Sequence, residues 1–161
     1  MVSSALLQFS IAWLYGLFFE YAVHRWILHG FGKKRDSILS FHFHEHHSLA
    51  RRRNMHDEGY LTKGFYPNSK TKEIIALTVA FLIHIPVVVI FPWAGLAVFV
   101  SMLSYYRVHS KSHKNVEWAR VALPWHYDHH MGPNQNKNFG VRTDFFDRVF
   151  KTRKKYYGTR A

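Results

Sequence analysis

Two long stretches without a charged side chain limit what this chain can fold into. Residues 1–19 contain no Asp, Glu, Lys or Arg, and an aromatic-rich run that suits a helix continues from there to Leu28. A helix of about 25 residues is long enough to cross a bilayer, because each residue adds about 1.5 Å. A signal peptide would show a basic n-region and a small-residue cleavage site, and neither is evident. We therefore predict one N-terminal membrane span.

The second uncharged stretch, residues 74–106, is too long for a single span. As one helix it would measure about 50 Å, whereas the hydrocarbon core of a bilayer is about 30 Å thick. Pro86, Pro92 and Gly95 lie near its middle, where a turn is expected. The pattern predicts a helical hairpin whose arms cross a thin membrane or dip in and return. His84 stands alone in this apolar run and is interpreted as an interior histidine with satisfied hydrogen bonds.

The basic residues indicate how these helices are oriented. Lys and Arg total 22 against 10 Asp and Glu, a formal charge of +12. They cluster after the first span, on both flanks of the hairpin and at the C-terminus, and the positive-inside rule makes that side cytoplasmic. Arg51–Arg53, Arg107 and Lys111 are candidates for contact with lipid headgroups. We expect no nucleic-acid partner, because the uncharged runs would be stranded in water.

Histidine is the residue type on which the chemistry depends. The chain has 13 His and no Cys, which excludes disulfides, thiolate zinc sites and iron–sulfur clusters. The block His126-Tyr127-Asp128-His129-His130 places three imidazoles at i, i+3 and i+4, on one face of a helix. Neutral imidazole is the commonest metal ligand among side chains. The triplet therefore predicts a metal site.

A second pair of histidines lies at the end of the first span. His24 and His29 are five residues apart, about 140° on an α-helix, so they need not bind one metal. They are expected to flank a pair of metals or to turn inward at the helix end. Glu20, one turn before His24, is a candidate to accept the second N–H of that imidazole.

Two further blocks have ligand spacing. His42 and His46 are at i, i+4 on a short predicted helix and share a face, with His47 adjacent. His44 points about 160° away from His46 and is interpreted as a surface or outer group. His56 is expected to face solvent or to support the ligands from outside the site. After the hairpin, another i, i+4 pair follows, formed by His109 and His113.

Together these blocks contain ten candidate ligands, too many for one metal ion and suited to two. They are His24, His29, His42, His46, His47, His109, His113, His126, His129 and His130. A water-activating zinc hydrolase needs about three protein ligands and leaves most of them unexplained. Two redox metals beneath a lipid-filled slot indicate oxygen activation. Imidazole sites suit iron, zinc, copper or nickel.

The order of the motifs resembles the fatty acid hydroxylase / sterol desaturase superfamily over about residues 15–152. The resemblance is carried by EYAVHRWILHG, the His-x3-His-His block, the His-x3-His pair, and HYDHH followed by NFGVRTDFFDRVFKT. The opening Glu-Tyr-x-x-His-Arg is similar to the fatty acid 2-hydroxylase branch in particular. The resemblance implies a four-helix transmembrane core, a cytosolic cap with a dimetal centre that is normally di-iron, and use of O2 and two electrons. It also implies a lipid substrate that is hydroxylated or desaturated.

Two departures from that family qualify the comparison. In the second block three residues separate His42 from the pair His46-His47, whereas the 2-hydroxylase branch has two residues at this point. The choice between His42 and His44 as the ligand therefore stays open. A fused cytochrome b5-like domain, which some eukaryotic members carry, is not expected here. The resemblance therefore implies an external electron donor, a cytochrome b5-like protein or a ferredoxin.

We predict a single domain over residues 1–161, with a core at about 5–152 and a basic, loose tail at 153–161. Its fold class is all-α: an integral membrane helical bundle of one span and one hairpin, with a cytosolic helical cap that holds two metals. A last amphipathic helix is expected to start at Thr143 or Asp144. The predicted function is oxygenation of a lipid C–H bond. The alternatives are a carotenoid ring hydroxylase and a non-catalytic membrane protein with a structural zinc cage.

Overall fold

The structure, a computed structural model, describes residues 2–158 and confirms the all-α prediction for them. No β-strand occurs among these described residues. The α-helices are α1 (Val2–Ala22), α2 (Ser48–Arg52), α3 (Ser69–Ile83), α4 (Ile85–Ile90), α5 (Pro92–Lys114), α6 (Val116–Ala122), α7 (Pro124–Met131) and α8 (Phe145–Val149). Two π-helices add to them, Val23–Leu28 and His42–His47, with short 3-10 turns at Phe31–Lys33 and Glu58–Leu61.

The N-terminal helix has the length and composition predicted for a membrane span. It runs on from α1 through the first π-helix, and Ser3–Lys33 is the one helix in the described part of the chain that is long and apolar enough to cross a bilayer. Its outward face is apolar and open, since Leu6, Leu7 and Ile11 are each more than half exposed. Contiguous apolar surface of this kind marks contact with a membrane or another apolar partner.

In the predicted hairpin region α3 and α5 pack against each other, and an additional helix, α4, occupies the turn. That these helices enter a membrane stays a prediction. Pro86 and Pro92 lie in the first turns of α4 and α5, where the fixed proline φ suits a helix start. At Gly95 a Cβ atom would lie 2.6 Å from the Cα of Val88, so glycine lets α4 fold back onto α5. With 15 residues α3 is about 22 Å long, which is shorter than a bilayer core.

The histidine in the hairpin is structural, as predicted. His84 is buried, with its Nε2 atom 2.8 Å from the Tyr15 hydroxyl and its Nδ1 atom 2.7 Å from the carbonyl of Ala80. Both ring nitrogens therefore have partners within the bundle.

Small residues bring α1 and α5 together. At Gly16 a Cβ atom would lie 2.2 Å from the Ser101 Oγ atom, and Ala12 packs with Ala97 and Val98. Close backbone approach at small residues is a common way for membrane helices to associate. In contrast, α1 and α3 leave a slot between them whose floor is α5.

The C-terminal segment follows one prediction and contradicts another. The short amphipathic helix is α8, which starts after Asp144 and packs Phe146 against Phe18 of α1 with ring centroids 5.3 Å apart. The tail was expected to be loose, but it is bound by hydrogen bonds as far as Gly158. The carboxylate of Asp128 accepts hydrogen bonds from the backbone amides of Tyr156, Tyr157 and Gly158 at 2.7–3.0 Å. The buried negative charge in α7 orders the tail.

Candidate metal centre

The helix α7 places the three histidines of the block His126–His130 on one face, as predicted. Pro124 opens this helix, and His126, His129 and His130 are all fully buried. His129 and His130, adjacent in sequence, reach two different clusters of imidazoles. The motif thus lies between two sites.

The first cluster contains five buried histidines whose ligand atoms lie within 4.8 Å of one another. They are His24, His29, His42, His47 and His129. The Nε2 atoms of His29, His47 and His129 form a triangle with every edge 3.1 Å. Those of His24 and His42 are 3.0 Å apart, and His42 lies 3.3 Å from His47.

The second cluster contains four buried histidines, with a fifth beside it. Its members are His46, His109, His113 and His130. The Nε2 atoms of His109 and His113 are 3.2 Å apart. The His126 ring lies 4.8 Å from that of His130 and 5.1 Å from that of His109, and neither of its nitrogens has a hydrogen-bond partner. Nine of the ten predicted ligands therefore fall into two clusters, and the tenth adjoins the second.

The two π-helices explain a grouping that α-helical spacing did not predict. In a π-helix the hydrogen bonds close from i to i+5, so residues five apart lie near one another. The His29 amide donates to the His24 carbonyl at 3.0 Å, and both rings belong to the first cluster. His42 likewise joins His47 rather than His46. His42 and His46 were predicted to share a face of an α-helix, but they lie in different clusters because the backbone there is π-helical.

The spacing of the imidazole nitrogens fits metal ions. With metal–nitrogen bonds of about 2.1 Å, ligand atoms lie about 3.0 Å apart at right angles and about 3.4 Å apart in a tetrahedron. The measured separations of 3.0–3.3 Å fall in this interval. The ring nitrogens of His46, His126 and His130 are buried and have no hydrogen-bond partner. Buried polar atoms are rarely left so unless an ion or water completes them.

Hydrogen bonds on the outer side of the rings aim the inner nitrogens at each site. The Nδ1 atoms of His24, His113 and His129 lie against the backbone carbonyls of Phe139, Met55 and Lys137. A carbonyl can only accept, so each Nδ1 carries the proton and each Nε2 keeps a free lone pair for a metal.

Two carboxylates that sequence reasoning missed serve the second cluster. Glu73 Oε1 lies 2.6 Å from His109 Nδ1, and Tyr60 donates to the same carboxylate at 2.7 Å. Asp57 Oδ2 lies 3.6 Å from His46 Nδ1. Burial raises the pKa of Glu73 to about 7. In the sequence, these carboxylates could have been recognised as partners of the ligands only from their positions. Glu73 borders the uncharged run, and Asp57 follows a histidine.

Burial keeps the clustered imidazoles uncharged. Loss of hydration lowers the pKa of His126, His129 and His130 well below the ordinary value of 6.5, and neighbouring imidazoles lower it further. The same causes lower the pKa of His42 and His47. Neutral imidazole is the form that binds a metal.

Glu20 does not accept a hydrogen bond from His24, so that expectation is wrong. Its carboxylate accepts from the backbone amides of Val141 and Arg142, at 2.6 and 3.0 Å, and pairs with the Arg142 guanidinium at 2.6 Å. Asp147 binds the preceding two amides, those of Phe139 and Gly140, at 2.8 and 2.7 Å. Four consecutive amides are thus held by two buried carboxylates, which places the Phe139 carbonyl against His24.

Three other basic side chains singled out in the sequence lie outside the two clusters. His44 bonds the carbonyl of Lys33 at 2.8 Å, which agrees with its interpretation as a surface group. His56, expected to face solvent or to support the ligands, is half-buried. Arg51 donates to the carbonyls of His130 and Gly132 at 3.0 and 2.9 Å. Arg51 thus provides hydrogen-bond donors for the carbonyls at the C-terminal end of α7. The prediction of lipid contact did not include this role.

An apolar cavity of about 810 Å³ leads to both clusters. Its walls are stripes of α1 and α3 at helical spacing, and its floor is a stripe of α5. His24 and His42 of the first cluster line it, as do His46 and His109 of the second. Arg51–Arg53, Arg107 and Lys111 are not among the described residues that line it, and their contact with lipid headgroups stays a prediction.

Comparison with known proteins agrees with this arrangement. No curated protein and no solved structure matches the chain significantly. A protein-family model described as fatty acid hydroxylase matches residues 9–152, which include all ten predicted ligands. Since this match covers most of the chain, the protein belongs to the fatty acid hydroxylase family, within the fatty acid hydroxylase / sterol desaturase superfamily.

Proposed function

We propose that this protein is an O2-dependent oxygenase of lipid C–H bonds that binds two iron ions. The supporting observation is that two clusters of convergent, buried imidazoles meet one apolar cavity. The first ion would be held by His24, His29, His42, His47 and His129, and the second by His46, His109, His113, His126 and His130. His42, which lies inside a cluster, is proposed as the ligand in place of His44.

The proposed reaction consumes O2, two electrons and two protons in each turnover. Hydroxylation converts R–H to R–OH and one water, whereas desaturation removes two hydrogens and yields two waters. The bound metals would supply the oxygen activation. The chain itself supplies ligand orientation through Phe139, Lys137 and Glu73, together with a cavity whose apolar walls exclude water and align an acyl chain.

We also propose an electron donor, a membrane orientation and a branch of the family for this protein. The electrons would come from a cytochrome b5-like protein or a ferredoxin, the external donors that the family resemblance implies. The clusters and the C-terminus would face the cytoplasm, according to the positive-inside rule. The Glu-Tyr-x-x-His-Arg motif around Glu20 and His24 supports the 2-hydroxylase branch, and residues 1–161 are proposed as one domain.

Metal analysis combined with a ligand variant tests the metal centre. We expect close to two metal ions per chain in detergent-purified protein, with iron predominating. His129→Ala with His130→Ala removes one ligand from each cluster and should lower the content of both metals, whereas His44→Ala should not. Folded wild-type protein that binds no metal would refute the assignment.

Oxygen uptake and product analysis test the chemistry. With iron, a reductant and a lipid extract, we expect oxygen consumption and hydroxylated or unsaturated acyl products. Ring-hydroxylated carotenoids would favour a carotenoid hydroxylase. Two zinc ions and no oxygen uptake would favour a structural zinc cage.

A further inference from the structure

Along α3 the rim of the cavity begins with a cation, Lys72, and is aliphatic beyond it. On α3 its rim follows Lys72, Ile75, Val79 and Ile83, one residue per helical turn, and each of the three aliphatic side chains is more than half exposed. Lys72 to Ile83 spans about 16 Å along the helix axis. A rim with a cation at one end and aliphatic side chains beyond it has the polarity of a single-chain amphiphile.

The cation at the polar end is held by a weak and replaceable partner. Lys72 Nζ contacts both carboxylate oxygens of Glu45, at 2.7 and 2.5 Å. The Lys72 side chain is 33% exposed and that of Glu45 is 51% exposed, so water screens the pair. Ion pairs of this kind add little to stability. An anionic ligand group can therefore take the place of the Glu45 carboxylate at low cost.

The other cation on the cavity wall is already engaged. Among the described lining residues, Lys72 and Arg142 are the lysine and arginine side chains. Arg142 is buried, pairs with Glu20 and donates to the carbonyls of Ser101 and Gly16. Its donors are directed at fixed partners, which leaves Lys72 as the exchangeable positive charge of the slot.

We propose that Lys72 binds the anionic headgroup of the lipid substrate in exchange for Glu45, while the acyl chain lies along Ile75, Val79 and Ile83. This inference rests on the proposed function and names its substrate class: a single acyl chain that ends in a carboxylate or a phosphate. Glu45 then acts as a competitor for the headgroup. Removal of Glu45 should strengthen binding, and removal of the Lys72 charge should weaken it.

Equilibrium binding of radiolabelled hexadecanoate to the full-length protein in neutral detergent tests this exchange. Hexadecyl phosphate and methyl hexadecanoate serve as competitors. We expect Lys72→Met to weaken hexadecanoate binding about tenfold, as for one lost charge-assisted hydrogen bond, and to leave binding of the neutral ester unchanged. Lys72→Arg should retain the selectivity for an anion. The carboxylate and phosphate probes distinguish a free fatty acid from a phosphorylated lipid.

Glu45→Gln provides a test of opposite sign, and Lys34→Met a matched control at an exposed lysine away from the slot. Tighter hexadecanoate binding in Glu45→Gln supports the exchange, and unchanged or weaker binding overturns it. Equal losses for acid and ester in Lys72→Met would also overturn it. The assay needs neither O2 nor reductant, so anion-selective binding without turnover would count against the oxygenase alone. Turnover with no dependence on Lys72 would count against the headgroup site alone.

Discussion

Asp147 offers the sharpest test of how the C-terminal motif supports the metal centre. Its carboxylate is fully buried and accepts hydrogen bonds from the amides of Phe139 and Gly140 and from the Thr152 hydroxyl. Asp147→Ala leaves two buried amides without an acceptor, and each such group costs about 1–3 kcal/mol. We therefore expect the free energy of unfolding to fall by about 2–6 kcal/mol, a large share of a typical domain's stability.

The same variant should release metal from the first cluster. The Phe139 carbonyl accepts the Nδ1–H of His24, and loss of such an outer partner typically lowers metal affinity about 10–100-fold. Asp147→Asn keeps one acceptor oxygen and should lose about half as much stability. Thermal unfolding followed by tryptophan fluorescence, together with metal content at limiting iron, measures both effects.

Asp36→Ala, at an exposed position, is the matched control. A fall of roughly 10 °C in the unfolding midpoint is expected for Asp147→Ala and almost none for the control. Full metal content and an unchanged midpoint in Asp147→Ala would refute the reasoning.

Three further predictions concern the clusters and the tail. His42→Ala should lower metal content measured by elemental analysis, whereas His44→Ala should not, because His44 bonds the Lys33 carbonyl outside the clusters; equal loss in both would contradict the assignment. Asp128→Ala should make the tail susceptible to limited proteolysis near Gly158, since three amides lose their common acceptor; unchanged cleavage would refute this. Metal removal by a chelator should lower the unfolding midpoint by several degrees, because convergent imidazoles lose the ions that compensate their burial; an unchanged midpoint would mean that no ion stabilises the clusters.

The sequence alone determined those features that depend on local spacing and composition. The uncharged run at 1–19 predicted the N-terminal helix, because an apolar stretch of this length suits a membrane span. The i, i+3, i+4 spacing of His126, His129 and His130 predicted one buried face, because α7 is a regular helix. The identity of the ten candidate ligands likewise followed from residue type, as the chain has no Cys.

The tertiary structure decided what depends on backbone irregularity and on distant contacts. On an α-helix His42 would share a face with His46, whereas in the π-helix it lies in the same cluster as His47. No local sequence pattern predicts the wider turn of the π-helix. Glu20 and Arg142 are 122 positions apart, and Lys72 and Glu45 are 27 apart. Such pairs form only when α1, α3 and the C-terminal segment pack around the clusters. Periodicity describes one helix at a time, and the partners of a buried charge are set by the packing of several.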